Sequence, residues 1–344
     1  MPLLLCFLTI ATQKPATNAQ PSRVKGEVVS KMSDSLWIVF QAKNNHRWFG
    51  SDGDGVYRYD GKTITHFTTK HGLPNDRIRE IQEDKSGNIY VGTLEGISKF
   101  NGRTFTTLKP MPSTEWKLVP DDLWFKGNSM VNGPYRYDGK KLHHLKFPKH
   151  YLEDDRLSSN PPSSPYGVYT IYKDRRGSLW FGTADLGVGR YDGKSISWLY
   201  EDHLTNTPAG GSFGIRSIIE DNKGKFWFCN TRYRYNISTN SEAGKDLISY
   251  TRDKGIADLK FSDGSDSFYY QSILEHKGEL WMATYRGGVW RYDGKKAIRY
   301  PVKDGSAEVT VFAISKDRQG VLWLGTHQAG AYRFNGKSFE KFRP

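Results

Sequence analysis

One line of sequence recurs along this chain with little change. The segments that match best over nineteen positions, without a gap, are GSLWFGTADLGVGRYDGKS (177–195), GELWMATYRGGVWRYDGKK (278–296) and GVLWLGTHQAGAYRFNGKS (320–338). Four further copies, of which the third is looser and the fourth degraded, occupy residues 46–63, 87–104, 122–141 and 224–236. A unit this short cannot bury its apolar residues alone, so seven copies predict seven modules that stack on one another.

Each copy divides into four short strands, labelled A to D in chain order. Strand A alternates in polarity, as in IREIQED (78–84), and a DxxG turn leads from it to strand B, such as LWFGT. After a variable loop, strand C ends at Asp-Gly or Asn-Gly in six of the seven copies, and these dipeptides predict a type I′ turn into strand D. Four strands per unit without helical periodicity predict an all-β chain that forms a seven-bladed β-propeller of four-stranded antiparallel blades.

The predicted domain covers residues 20–344, and its blades span approximately residues 31–70, 76–108, 115–147, 166–201, 212–251, 267–301 and 308–343. The segment RVKGEVVS (23–30) is a candidate for an additional outer strand.

An aromatic residue opens strand B in every copy. These residues are Trp48, Tyr90, Trp124, Trp180, Trp227, Trp281 and Trp323. A buried Trp removes roughly 200 Å² from water, which corresponds to about 5 kcal/mol before entropy is counted. We therefore expect these rings to pack between neighbouring blades, and the Asp of the DxxG turn to cap the hairpin with its side chain.

The segments EDKSGNIYVGTLEGISKFNGRTFT (83–106) and KDRQGVLWLGTHQAGAYRFNGKSFEKF (316–342) resemble the repeats of two-component regulator propellers. The resemblance covers about residues 30–344. It implies a periplasmic sensing propeller, of the kind that an immunoglobulin-like domain, a membrane helix and a histidine kinase usually follow. Because this chain stops at Pro344, directly after the last blade, we expect no kinase activity of its own and a stand-alone or accessory sensor role.

The first nineteen residues have the composition of a secretory signal peptide. An apolar run from Pro2 to Ala11 precedes small residues that suit cleavage near Ala19. We therefore expect a periplasmic or secreted protein. A lipid anchor at Cys6 is disfavoured, because bulky Leu5 stands where a small residue is required. The other cysteine, Cys229, is expected to be a buried apolar residue, and no later segment is apolar enough to span a membrane.

The copies differ most in the B–C loops and the D–A crossovers, which share one face of a propeller. Variable loops on a rigid scaffold are where binding usually occurs. The side chains that we predict to bind ligand there are Asp54, Glu95, Asn128, Asp185, Arg232, Tyr285, Arg286 and His327. Their mixed charges and aromatic rings favour a small polar ligand, either a glycan or a peptide, and an envelope protein is a further candidate partner.

Other functions find less support in the sequence. We identify no catalytic constellation, no metal site and no cofactor motif, so a non-enzymatic role is expected. A lyase or hydrolase acting at the central channel, or a protein-interaction scaffold, are the alternatives. The net charge of +13 includes cations that recur at fixed repeat positions rather than along one stripe, and no nucleic-acid binding is expected.

Overall fold

The structure is a computed structural model. It describes residues 25–156, 164–206, 213–238, 246–256, 259–260 and 266–344. The predicted signal peptide, with Cys6 and the cleavage position near Ala19, lies outside the described residues.

Seven sheets of four or five strands form the ring, which confirms the predicted fold class. Blades 1 and 2 contain β1 (Glu27–Val29), β2 (Leu36–Gln41), β3 (Arg47–Ser51), β4 (Val56–Tyr59), β5 (Ile64–Phe67), β6 (Ile78–Glu83), β7 (Ile89–Thr93), β8 (Ile97–Phe100) and β9 (Phe105–Thr107). Blades 3 and 4 contain β10 (Pro110–Ser113), β11 (Leu123–Phe125), β12 (Tyr135–Tyr137), β13 (Leu142–Leu145), β14 (Val168–Lys173), β15 (Leu179–Thr183), β16 (Val188–Tyr191) and β17 (Ile196–Leu199).

The second half of the chain continues in the same order. Blade 5 and the small hairpin after it contain β18 (Ile218–Glu220), β19 (Phe226–Phe228), β20 (Tyr233–Ile237), β21 (Tyr250–Lys254), β22 (Leu259–Lys260) and β23 (Asp266–Ser267). Blade 6, a second small hairpin and blade 7 contain β24 (Ser272–His276), β25 (Glu279–Thr284), β26 (Gly288–Tyr292), β27 (Ala297–Tyr300), β28 (Lys303–Asp304), β29 (Ala307–Glu308), β30 (Val311–Lys316), β31 (Leu322–Thr326), β32 (Ala331–Phe334) and β33 (Phe339–Lys341).

In the described part of the chain, helical structure consists of single turns in the crossovers. These are a 3₁₀ turn at Thr69–His71, α1 (Glu153–Arg156) and α2 (Asp202–Thr205). Within the described ranges, no helix is long and apolar enough to cross a membrane.

The aromatic residue that opens strand B packs against a ring of the next blade. Ring centroids of Trp180 and Phe226 in blade 5 lie 4.5 Å apart, and those of Trp48 and Phe100 in blade 2 lie 5.1 Å apart. The other five contacts follow the same order around the ring: Tyr90–Phe125, Trp124–Phe181, Trp227–Tyr292, Trp281–Phe334 and Trp323–Phe49. The prediction that these rings pack between neighbouring blades is confirmed.

The Asp of the DxxG turn holds both the turn and the Trp of the same blade. In blade 4, Asp174 Oδ1 accepts a hydrogen bond from Ser178 N at 2.8 Å, and its Oδ2 accepts one from Trp180 Nε1 at 2.8 Å. The predicted Asp cap is therefore confirmed, and the bond to the indole is an additional finding. We call this pair of bonds the Asp–Trp latch; it recurs as Asp221–Trp227 and Asp317–Trp323.

Blades 1 and 6 lack the latch. Ala42 and His276 occupy the turn position that Asp fills in blades 2, 4, 5 and 7, because Glu275 pairs with Leu280 within the strands of blade 6. Correspondingly, the indole nitrogens of Trp48 and Trp281 are buried and have no hydrogen-bond partner among the described residues. The burial of the Trp is thus common to all these blades, whereas the polar bond is present only where the sequence supplies an acceptor.

The turns between strands C and D are not the predicted type I′ turns. In blade 1, Gly61 has φ of 103°, but no non-glycine residue of this turn has a positive φ. Asp60 Oδ1 instead accepts hydrogen bonds from Lys62 N and Thr63 N at 2.9 and 2.8 Å. The type I′ prediction is wrong because the Asp side chain closes a longer loop, so only the glycine needs left-handed backbone.

Side chains close the ring between blades 7 and 1. The Arg47 guanidinium lies 5.0 Å from the Trp323 ring centroid, and Ser315 Oγ donates to the carbonyl oxygen of Val39 at 3.0 Å. Each of the two blades consists of strands that are consecutive in the chain. The candidate outer strand at residues 23–30 is confirmed, because β1 pairs antiparallel with β5 on the outside of blade 1.

Blade 3 has a different strand arrangement from the others. In the described part of this blade, no inner strand A precedes β11, and the fourth strand is β10, which pairs in parallel with β13 on the outside. Side chains from blade 2 cover the open inner edge. Gln82 Nε2 donates to the carbonyl oxygen of Trp124 at 2.6 Å, and Glu80 Oε1 accepts from Lys126 N at 2.8 Å.

Candidate functional site

The second position of strand A points side chains toward the centre of the ring. In blades 1, 2, 4 and 7 the pairing between strands A and B skips this position, so that a β-bulge begins each inner strand. The skipped residues are Trp37, Arg79, Tyr169 and Phe312. β-Bulges redirect side chains and are common beside binding sites.

The residues redirected by these bulges line a cavity of about 680 Å³ at the centre of the ring, which we call the central pocket. Its wall includes the strand A residues Trp37, Arg79, Tyr169, Arg216, Gln271 and Phe312, together with Lys126, Ser129, Tyr285 and His327. All seven blades contribute to it. Because Ser129, Tyr285 and His327 belong to B–C loops, the pocket lies on the face where the sequence copies differ most.

Aromatic rings from blades 6, 7 and 1 form one side of the central pocket. Trp37 stacks on Phe312 with ring centroids 4.1 Å apart, and the His327 ring lies 4.8 Å from Trp37. Tyr285, which is 46% exposed, meets His327 edge to face at 5.1 Å. We call these four residues the aromatic arc.

Cationic side chains from blades 2, 3 and 5 form the other side, which we call the cationic arc. Its members are Arg79, Lys126 and Arg216. Arg79 Nη1 lies 3.4 Å from Asp52 Oδ1, and Lys126 Nζ donates to the carbonyl oxygen of Arg79 at 3.1 Å. Burial lowers the pKa of both cations, and the positive charge of Arg216 lowers them further. The three cations therefore lie close enough to repel one another.

Three polar atoms of the pocket residues are buried and have no hydrogen-bond partner among the residues that the structure describes. They are Trp37 Nε1, Gln271 Nε2 and His327 Nε2. Burial also lowers the pKa of His327, so its ring is neutral near pH 7. Unpaired buried polar atoms are rare in native proteins, and three of them around one cavity indicate a place where a ligand or water supplies the missing hydrogen bonds.

Comparison with known proteins agrees with the repeats described above. The two component regulator propeller family matches residues 72–95, 162–185 and 305–328. The chain carries two-component regulator propeller repeats.

Similar proteins of known name include two sensor-type proteins and an enzyme. A stretch of 46 residues, 13% of this chain, is 39% identical to histidine kinase P4 of Formosa agariphila, of which it covers 3%. The extracellular domain of a hybrid two component system from B. thetaiotaomicron is 18% identical with a TM-score of 0.58, over 93% of this chain and 40% of that one. Virginiamycin B lyase from Staphylococcus aureus is 16% identical with a TM-score of 0.59, over 89% of this chain and 96% of the lyase. These identities show a shared fold.

Two of the eight predicted ligand-binding residues line the central pocket. Tyr285 and His327 meet in the aromatic arc. The remaining six lie outside the described wall of the pocket: Asp54, Glu95, Asn128, Asp185, Arg232 and Arg286. Binding by these six remains a prediction for the surrounding loops.

Most of those six residues are already engaged in other contacts. Asp54 accepts a hydrogen bond from the Tyr57 hydroxyl, Glu95 accepts one from Asn75 at 3.0 Å, and Asn128 Oδ1 accepts one from Met130 N at 2.9 Å. The Arg232 guanidinium lies 3.7 Å from the Phe268 ring centroid. Asp185 is buried, whereas Arg286 is exposed.

The sequence analysis missed the strand A residues of the pocket. The position in question follows an apolar residue and lies in strand A or just before it; in the six blades that have an inner strand it reads Trp37, Arg79, Tyr169, Arg216, Gln271 and Phe312. This variation inside an otherwise uniform strand is the same kind of signal that identified the loops, and it could have revealed the pocket. Cys229, in contrast, is buried as predicted, and burial raises the pKa of its thiol to about 12.

Proposed function

We propose that this chain is a ligand-binding, sensor-type propeller that recognises a glycan fragment in its central pocket. The observation that carries the proposal is the set of unpartnered polar atoms on Trp37, Gln271 and His327 around one cavity. The cavity volume of about 680 Å³ falls in the range of pockets that hold small molecules, roughly 300–1,000 Å³.

The aromatic arc suits a saccharide. Trp and Tyr rings offer large apolar faces with a polar atom at the edge, so that a sugar ring packs on the face while its hydroxyls reach the edge. Tyr285 has this character. The Trp37 ring already contacts Phe312 and the Arg79 guanidinium, which lies 5.0 Å from its centroid, so Trp37 offers its edge nitrogen, and Gln271 adds an amide nearby. A pocket enclosed by seven blades also favours a compact ligand over an extended peptide.

The proposal extends to location and role. The apolar leader at residues 1–19 and the shared fold with extracellular domains of two component systems support an extracytoplasmic site of action. There the propeller would act as an accessory or stand-alone sensor module in two-component-type signalling. Since the chain covers 40% of the first of those extracellular domains, the activity of any larger assembly is part of this proposal.

Binding is tested with purified chain on an array of oligosaccharides and peptides, followed by calorimetric titration of the hits. Tyr285→Ala should weaken binding by about tenfold or more, because loss of one buried stacking contact costs on the order of 1–2 kcal/mol. Tyr151→Ala is the matched control, since this Tyr is 59% exposed and lies away from the pocket. Equal affinity of the two variants, or hits confined to peptides, would contradict the proposal.

An enzymatic role is the second candidate, and one observation favours it. His327 offers a neutral, unpartnered Nε2 at the pocket, which is the state a general base requires, and virginiamycin B lyase shares the fold. The test is overnight incubation of each bound oligosaccharide with the chain, followed by mass spectrometry. If wild-type protein forms a product and His327→Gln does not, the chain is an enzyme. If wild-type protein leaves every ligand unchanged, binding is its function.

A further inference from the structure

The charges around the central pocket do not cancel. Three cations form the cationic arc, and two carboxylates accompany them. Asp52 pairs with Arg79, at 3.4 Å between Oδ1 and Nη1. Glu80 faces Lys126, whose backbone nitrogen donates to Glu80 Oε1 at 2.8 Å; burial lowers the pKa of the Lys126 amine and raises the pKa of Glu80, and the attraction between the two groups opposes both shifts.

Arg216 is the cation without a carboxylate. In the part of the chain that the structure describes, no acidic side chain lies within ion-pairing distance of its guanidinium. Its Nε donates to the carbonyl oxygen of Phe213 at 2.9 Å. The guanidinium lies 4.9 Å from the Tyr169 ring centroid and 5.2 Å from that of Phe213. These contacts fix the orientation of the side chain, and its two terminal nitrogens have no hydrogen-bond acceptor in the described ranges.

A guanidinium held in this way is prepared to bind an oxyanion. Arg presents its donors in a rigid, planar fork that matches carboxylate, sulfate and phosphate groups. Because Nε is already occupied, the pair of terminal nitrogens is the free edge of the fork. Little side-chain entropy remains to be lost on binding, since Tyr169 and Phe213 already hold the group.

We propose that the ligand of the central pocket is an acidic saccharide that carries one anionic group, a uronic acid carboxylate or a sulfate ester, bound by Arg216. A sugar ring packs on the aromatic arc while the anion lies against the cationic arc opposite. The anion is the counter-charge that the Arg216 guanidinium lacks among the described residues. This inference rests on the proposed function, and it adds the charge and the anchoring residue of the ligand.

The experiment compares matched disaccharides by isothermal titration calorimetry at low salt. The probes are disaccharides that contain uronic acid, the corresponding neutral hexose disaccharides, and sulfated neutral disaccharides. Wild-type chain should bind the acidic or the sulfated members about 10- to 100-fold more tightly than the neutral ones, as expected for one charge-assisted contact. The preference should fall as the salt concentration rises. The charged set with the higher affinity shows whether the anionic group is a carboxylate or a sulfate ester.

Variants separate the inference from the proposed function. Arg216→Gln should reduce the preference for charged probes to about twofold or less and leave the affinity for neutral ones unchanged. Arg216→Lys, which keeps the charge but loses the fork, should show an intermediate preference. The matched control is Arg103→Gln, which removes an exposed cation of a C–D turn outside the pocket wall and should behave as wild type.

Two results would overturn the inference. If neutral probes bind as tightly as charged ones, or if Arg216→Gln keeps the full preference, the ligand is not anchored by this cation, although saccharide binding itself stands. If neither charged nor neutral saccharides bind to wild-type chain, the proposed function fails together with the inference. Unfolding temperatures within about 2 °C of wild type ensure that the variants are compared in the same folded state.

Discussion

The Asp–Trp latch of blade 7 should be a major determinant of stability, and Asp317→Ala tests it. Asp317 accepts hydrogen bonds from Trp323 Nε1 at 2.9 Å and from Val321 N at 2.8 Å. It also lies 3.6 Å from the guanidinium of Arg47 in blade 1, and its side chain is 4% exposed. One substitution therefore removes the cap of a hairpin, the partner of a buried indole and an ion pair at the ring closure.

The magnitude follows from these contacts. A hydrogen bond to a charged group contributes about 1.5–3 kcal/mol, and removing one partner of a buried ion pair costs about 3–5 kcal/mol. The losses overlap because one carboxylate makes all of them, so we expect the free energy of unfolding to fall by about 3–5 kcal/mol in total. With an unfolding entropy of about 2.1 cal/mol/K per residue, a domain of this size should then lose about 5–8 °C in Tm.

The assay is thermal unfolding followed by Trp fluorescence and confirmed by calorimetry. Asp317→Asn keeps one acceptor oxygen, so its loss of Tm should be roughly half of that of Asp317→Ala. Asp304→Ala is a matched control, because this Asp also pairs with a cation, Lys341, but is 49% exposed; its Tm should change by about 1 °C or less. A similarly small change for Asp317→Ala would refute the reasoning.

Three further predictions concern stability. Ala42→Asp should raise Tm by about 1–3 °C, since it supplies the acceptor that the buried Trp48 indole lacks; an unchanged or lower Tm in a thermal scan would contradict this. Glu80→Ala should lower Tm by about 4 °C or more, because the buried N–H donors at the inner edge of blade 3 then have neither a protein acceptor nor water. Glu80→Gln, which keeps an acceptor oxygen, is the control, and equal losses of Tm in the two variants would argue against the hydrogen bond. Backbone N–H donors lower the pKa of Asp60 and Asp293. The two ionised carboxylates therefore add to the free energy of unfolding above the ordinary carboxyl pKa, about 4, and this contribution is lost as the pH falls below that value. Replacing both with Asn should therefore shrink the loss of Tm between pH 6 and pH 3, and an equally steep loss would rule out this source of acid sensitivity.

The parts of the fold that repeat could be predicted from the sequence. The recurring Trp and the Asp-Gly turns located the strands because the same packing problem is solved in each blade, as Trp180 and Trp323 show. The turn type could not be predicted from the dipeptide. Asp60 closes its loop with a side-chain oxygen rather than with left-handed backbone, and a short motif does not distinguish these two solutions.

The centre of the ring was harder to predict, for a geometric reason. A β-bulge shifts the two-residue alternation of a strand by one position, so Arg79 and Phe312 face the pocket although simple alternation does not assign them there. Blade 3 adds a second difficulty, because side chains of the preceding blade replace its inner strand. Tyr285 and His327 could be predicted because they lie on loops, where variation between copies is easiest to see.

The seam between blades 7 and 1 has a consequence for how such a chain can vary. Because the seam is made by side chains such as Arg47, Ser315 and Phe342, no blade has to be assembled from both ends of the polypeptide. Ser30 and Asp34 line the same cleft as Lys341 and Pro344, so the two ends of the ring lie side by side. Any blade whose strand B aromatic residue packs on the next blade could be the first or the last in the chain. A circularly permuted gene, opened at another crossover, would therefore specify the same toroid.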